Sequence, residues 1–146
     1  MDYAHTISTK SAKETQEFGK TMANSLESPA IYCLYGELGS GKTTFIQGFA
    51  RGLGITTRLL SPTFIIVRRY ALKVPASFLY HIDLYRTQSM KDLEGLGLSE
   101  IFSDPHAIIL MEWADRLGSL LPHKRTDIHF ETLSEDERKI TVEPYA

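Results

Sequence analysis

Apolar residues along this chain fall into two spacings, and the alternation of the two outlines the fold. Residues 30–35 form a continuous apolar run of strand length, and residues 107–113 form a second buried strand. Residues 64–70 and 78–84 are also strand-like. The turn at 73–77 between them predicts a hairpin. In the second arm Phe78, Tyr80 and Ile82 face one way, and Leu79, His81 and Asp83 face the other. Residues 3–7 read as a short strand. Residues 126–131 and 138–142 form a last hairpin around the acidic turn Ser134-Glu135-Asp136-Glu137. Helical spacing fills the gaps. One helix runs from a cap at Ser8 or Ser11 to about Leu26, with Phe18, Met22 and Leu26 on one side. A second occupies residues 44–53, with Phe45, Phe49 and Leu53 on one face, ended by Gly52 and Gly54. Residues 87–103 are broken by Gly95 and Gly97 into two short helices with core leucines. The expectation is a single α/β domain, residues 1–146. Its mixed central β-sheet is flanked by helices and carries β-hairpin additions.

Composition narrows the class. The 146 residues are 42% apolar and 23% charged, as in an ordinary globular protein with one core. No apolar run approaches the roughly 20 residues of a membrane span. The N-terminus lacks a signal peptide's basic and apolar regions, so the expected location is cytoplasmic, with no membrane partner. A net charge of −2 gives no overall basic footprint for nucleic acid. The single cysteine, Cys33, excludes an internal disulfide and reads as a buried, inert thiol. The five histidines show no paired zinc spacing.

The richest stretch lies between the 30–35 strand and the 44–53 helix. Gly36-Glu37-Leu38-Gly39-Ser40-Gly41-Lys42-Thr43 fits the phosphate-binding loop in full. A strand feeding a Gly-rich turn that opens a helix makes an anion site from backbone N–H groups and the helix dipole. Lys42 adds a charge for the β- and γ-phosphates, and the Thr43 hydroxyl is a Mg²⁺ ligand. The domain is therefore read as a P-loop NTPase.

Other candidates surround it. Thr63, in Ser61-Pro62-Thr63-Phe64, lies in the loop that in switch proteins reaches the γ-phosphate, or is simply part of a turn before a strand. Asp83 near the end of an apolar strand is where a magnesium-side carboxylate belongs. His81, two residues earlier on the same face, reads as a packing or orienting residue. On the 107–113 strand the usual Walker B aspartate position holds Met111, and Glu112 follows. Either Asp83 or Glu112 must then supply the metal carboxylate; a strand-terminal Glu112 can instead align the attacking water. Trp113 sits at the rim, as core or partner contact. Arg116 is read as a surface ion pair, with a reach to phosphate as the lesser alternative. Arg138 is read as a strand residue, with a base contact as the lesser alternative. The segment before residue 30 either closes over the nucleotide base or only covers the sheet.

Taken together, Gly36-Glu37-Leu38-Gly39-Ser40-Gly41-Lys42-Thr43-Thr44, Ser61-Pro62-Thr63-Phe64, His81-Ile82-Asp83-Leu84-Tyr85-Arg86 and Glu112-Trp113 resemble, in order and spacing, the bacterial TsaE (YjeE) family. The resemblance spans nearly the whole chain. It implies a small P-loop ATPase needed to make threonylcarbamoyladenosine in tRNA, using ATP and Mg²⁺. Lys42 would hold phosphate, with the loop from Gly36 to Thr44 around it. Thr43 and Glu112 would hold the metal, and Asp83 would share that shell or activate water. Thr63 would be the switch residue, and Trp113 a neighbour of the site. The resemblance also implies weak hydrolysis alone and coupling to a TsaB–TsaD-like complex, with tRNA contacted through that complex. Ser40 departs from the family's usual Ala.

Three other classes compete. A small-molecule kinase needs an acceptor pocket and an Arg-rich lid, and no insertion supplies one. A regulatory GTPase needs Asn-Lys-x-Asp, which is absent. A module that uses ATP for assembly, with hydrolysis incidental, is barely separable by sequence from an ATPase. No arginine stands out as a finger.

Overall fold

The structure is a computed structural model describing residues 4–26, 30–57, 67–73, 77–87 and 89–146. Seven strands build one sheet: β1 (His5–Thr9), β2 (Ala30–Tyr35), β3 (Val67–Ala71), β4 (Phe78–Asp83), β5 (Ala107–Glu112), β6 (Arg125–Thr132) and β7 (Arg138–Tyr145), in the spatial order β1-β7-β6-β2-β5-β4-β3. The four central strands β6, β2, β5 and β4 run parallel. β3 lies antiparallel to β4 on one edge; on the other, β7 runs antiparallel to β6, and β1 antiparallel to β7. Both expected strand pairings form, β3 with β4 and β6 with β7, so the sheet is mixed; residues 64–66 and 74–76 of the first expected hairpin lie outside the described residues. The central parallel strands are covered on both faces, which is why β2 and β5 read as unbroken apolar runs.

Two helices lie on one face, α1 (Ala12–Ala23) and α2 (Lys42–Gly52). Ser11 is the cap of α1: its hydroxyl accepts from the Glu14 amide at 3.1 Å, while Glu14 Oε1 accepts from the Lys10 amide at 3.1 Å. The helix stops at Ala23, short of Leu26, because the poor helix formers Asn24 and Ser25 follow; the Asn24 amide turns back to Lys20 and Thr21 carbonyls. α1 packs directly on α2. At Gly48 a Cβ would stand 2.0 Å from the Gln16 carbonyl oxygen, so the two backbones approach to a distance only glycine permits. α1 therefore covers the α2 side of the molecule, with Thr15 of its first turn reaching the loop at Gly41.

Phe45 and Phe49 of α2 fill the first core with Leu34, Leu79, Leu110, Ile128 and Ile140. The other sheet face carries α3 (Met90–Glu94), α4 (Leu98–Ser103) and a short 3₁₀ segment (Ala114–Leu120). There Ile31, Cys33, Ile82 and Met111 pack against Leu93, Leu98, Ala114 and Leu117. Cys33 is fully buried, and burial pushes its thiol up to about 12, which makes it inert as a nucleophile. Among the described residues no helix is long and apolar enough to cross a membrane.

Candidate active site

Every feature of the site lies at the carboxyl end of the parallel strands, where open α/β sheets carry their clefts. The loop between β2 and α2 leaves the sheet at Gly36, whose φ is 152°. A Cβ there would meet Ser40 Oγ at 2.5 Å and the Phe130 carbonyl oxygen at 2.8 Å, so the start of the loop demands glycine. The Ser40 amide closes a turn on the Glu37 carbonyl at 3.0 Å, and the Phe45 amide starts the helical ladder on Gly41 at 2.9 Å. Between them Leu38 stands fully exposed at the loop tip. Lys42 and Thr43 open α2, where the first amides have no partner within the helix. The loop thus turns free backbone N–H groups and the positive end of the α2 dipole to one side, chemistry that suits an anion such as a phosphate.

The facing wall comes from β4 and β5, whose parallel register sets Asp83 beside Glu112. Strand alternation explains the unusual Met111-Glu112 order. Met111 points into the second core and is wholly buried there, so residue 112 is the one that faces α2. Glu112 Oε1 lies 3.9 Å from Lys42 Nζ. Glu112 Oε2 accepts from His81 Nε2 at 2.9 Å, and His81 is itself buried. Asp83 is held more loosely: its Oδ1 accepts from the Tyr85 amide at 3.0 Å. Partial burial raises the Asp83 carboxyl above its usual range and the Glu112 charge adds to this, against a lowering by the Tyr85 hydrogen bond, His81 and Lys42.

Trp113 forms the rim. It adopts a left-handed backbone conformation (φ 60°, ψ 37°), rare for a bulky residue and worth about 1–2 kcal/mol of strain. Its ring is gripped on several sides: Tyr85 at 5.2 Å, the Arg116 guanidinium at 5.3 Å and Lys42 Nζ at 5.9 Å. At about 0.5–1 kcal/mol per contact these offset the strain. Among the described residues Arg116 makes no ion pair of the kind expected of it. It lies over Trp113 and donates to the Thr87 carbonyl.

Arg138 also exceeds its expected role in the strand. Its guanidinium donates to the carbonyls of Ser134, Glu135 and Glu137, and through Nη2 to the Gly39 carbonyl of the loop at 3.2 Å. Nothing in the local sequence signals that contact.

Set against known proteins, residues 9–140 match the family model described as threonylcarbamoyl adenosine biosynthesis protein TsaE. The chain belongs to the TsaE family. It is 41% identical over 133 residues to the tRNA threonylcarbamoyladenosine biosynthesis protein TsaE of Bacillus subtilis, an alignment covering 91% of this chain and 81% of that one. Its identity to the protein of the same name from Treponema pallidum is 35% over 133 residues, covering 91% and 96%. The crystal structure of Bacillus subtilis YdiB superposes with a TM-score of 0.80 at 35% identity, covering all of this chain and 88% of that one.

Of the residues singled out by sequence, the fold of this family member brings together Lys42, Asp83 and Glu112, with Trp113 at their edge. Gly36, Glu37, Leu38, Gly39, Ser40, Gly41, Thr43 and Thr44 complete the loop and the helix start. Thr63 and the rest of Ser61-Pro62-Thr63-Phe64 lie outside the described residues. Among the described residues no three His, Cys, Asp or Glu side chains converge on one point as a metal cluster. A divalent ion would have to draw on the Thr43 hydroxyl and one or two carboxylates, a donor set whose oxygen chemistry suits Mg²⁺.

Proposed function

We propose that this TsaE-family chain is a Mg²⁺-dependent ATPase required for threonylcarbamoyladenosine modification of tRNA. Residues 1–146 act as one P-loop domain, weak alone and driven by a cytoplasmic TsaB–TsaD-like complex through which tRNA is reached. The observation that carries the reading is the convergence of Lys42, Glu112 and Asp83 on the mouth of a complete phosphate loop.

The chemistry follows from that arrangement. The loop amides and Lys42 bind the β- and γ-phosphates and oppose the charge that spreads over the phosphoryl oxygens as water attacks. Thr43 and Glu112 would hold Mg²⁺, which supplies charge neutralisation at those oxygens when bound. Asp83, beside Glu112, shares that shell or orients the attacking water. Thr63 acts as the switch residue at the γ-phosphate. Trp113 and Arg116 close the rim, where a partner surface would complete the site.

ATP turnover by the purified chain, alone and with its cognate TsaB–TsaD-like complex, tests this. A low rate that rises many-fold on addition of the complex supports it. A high rate unchanged by partners, or phosphate transfer to a small metabolite, sinks it. An assembly-only role would leave repeated rounds of tRNA modification intact in Glu112→Gln.

A further inference from the structure

The hydrogen bond between His81 and Glu112 has no role in the reading above. A glutamate at the end of a strand has three rotatable side-chain bonds and swings through many orientations. Glu112 does not have that freedom. Its Oε2 is engaged at 2.9 Å by His81 Nε2, from the neighbouring strand β4. A carboxylate offers only acceptors, so the imidazole hydrogen sits on Nε2 and donates. Nδ1 of the same ring is buried and has no hydrogen-bond partner among the described residues, so the Glu112 contact is the polar contact that fixes the ring there. The His81 side chain is itself only 3% exposed, which leaves the ring little room to turn. The two oxygens of Glu112 are therefore unequal: Oε2 is tied down, and Oε1 is turned toward Lys42 and the phosphate loop.

We propose that His81 is the positioning residue of this site, holding Glu112 by Oε2 so that Oε1 alone works on the nucleotide side. The proposal rests on the ATPase reading. It assigns to one imidazole the precision that a strand-end carboxylate cannot have alone, since a misplacement of about 1 Å in a catalytic group costs on the order of 100-fold in rate. The buried contact adds nothing to the binding of phosphate itself, which belongs to Lys42 and the loop.

The test compares His81→Ala, His81→Gln and wild type, each with the partner complex. The readouts are kcat, the Kd for ATP and the circular dichroism spectrum. The Gln amide can donate to Glu112 from a similar reach. The expected result is a kcat lowered more than tenfold in His81→Ala, an ATP Kd within about threefold, and recovery of most of the rate in His81→Gln. An unchanged kcat in a folded His81→Ala, or a joint loss of kcat and affinity that Gln does not rescue, overturns the proposal. Nitrogen-15 spectra of the imidazole provide a readout independent of turnover. An Nε2-bound, slowly exchanging hydrogen in wild type that is lost in Glu112→Ala supports the contact. An Nε2 that carries no hydrogen, or no change in that variant, overturns it. If wild type hydrolyses no ATP even with the complex, the ATPase reading fails by itself, and the spectra still decide whether His81 holds Glu112.

Discussion

The carboxyl ends of β4 and β5 lie side by side and each carries a carboxylate, yet the two are built differently. Glu112 is buried, held by His81 on one oxygen and facing Lys42 with the other. Asp83 is half-buried, takes one backbone hydrogen bond from Tyr85, and has its carboxyl raised by burial. The difference teaches how a strand end divides labour. Glu112 meets a side chain at each oxygen, whereas Asp83 leans on the backbone of its own strand end. A third position sharpens the contrast. Met111 is one residue from Glu112 and belongs wholly to the opposite core.

The largest expected effect comes from breaking that phase. Met111→Asp, which would recreate the common Walker B order, buries an unpaired charge among Ile82, Leu117 and Cys33; it should cost several kcal/mol and leave little folded protein in a thermal melt. Met111→Leu keeps volume and polarity, and should cost less than about 1.5 kcal/mol with turnover unchanged. Next, Glu112→Gln should lower kcat for ATP about 100-fold or more while ATP affinity stays within a few-fold, as measured by single-turnover hydrolysis with the partner complex. Asp83→Asn in the same assay should lose only about tenfold. Equal losses at the two positions would erase the distinction between them.

The smallest effect concerns stability and pH in the nucleotide-free protein. Asp83 binds its proton more tightly in the fold than in the unfolded chain, where its ordinary value is 3.8. Its contribution is most favourable below that value and is lost as pH rises through the raised folded value. Asp83→Asn should therefore melt slightly higher than wild type at pH 7, and the gain should vanish toward pH 3. A variant that melts lower at pH 7 would show that the Asp83 carboxylate supports the empty fold.

Much of this was legible in the sequence because the signals were local. The phosphate loop, the strand run before it and the Phe45-Phe49 face of α2 are contiguous, and local spacing fixes them. So are the facing of Asp83 with His81 and the division of residues 87–103 into two helices. What was not legible depended on neighbours far apart in the chain. That Glu112 meets His81 requires β4 to lie beside β5, which no periodicity states. That Arg116 packs on Trp113 depends on the unusual backbone at Trp113. The Ser11 cap was one of two offered, and the structure chose the one with Glu14 three residues on.

Arg138 carries a consequence for the order in which the molecule is made. Its bond to Gly39 joins residues 99 apart in the chain, tying the last strand to the loop that opens the site. β2 lies between β5 and β6, both of which are synthesised long after it. A ribosome that has delivered the whole phosphate motif has delivered none of the strands that pair with β2. The nascent chain therefore carries a recognisable motif with no site, and nucleotide capture belongs to the finished protein.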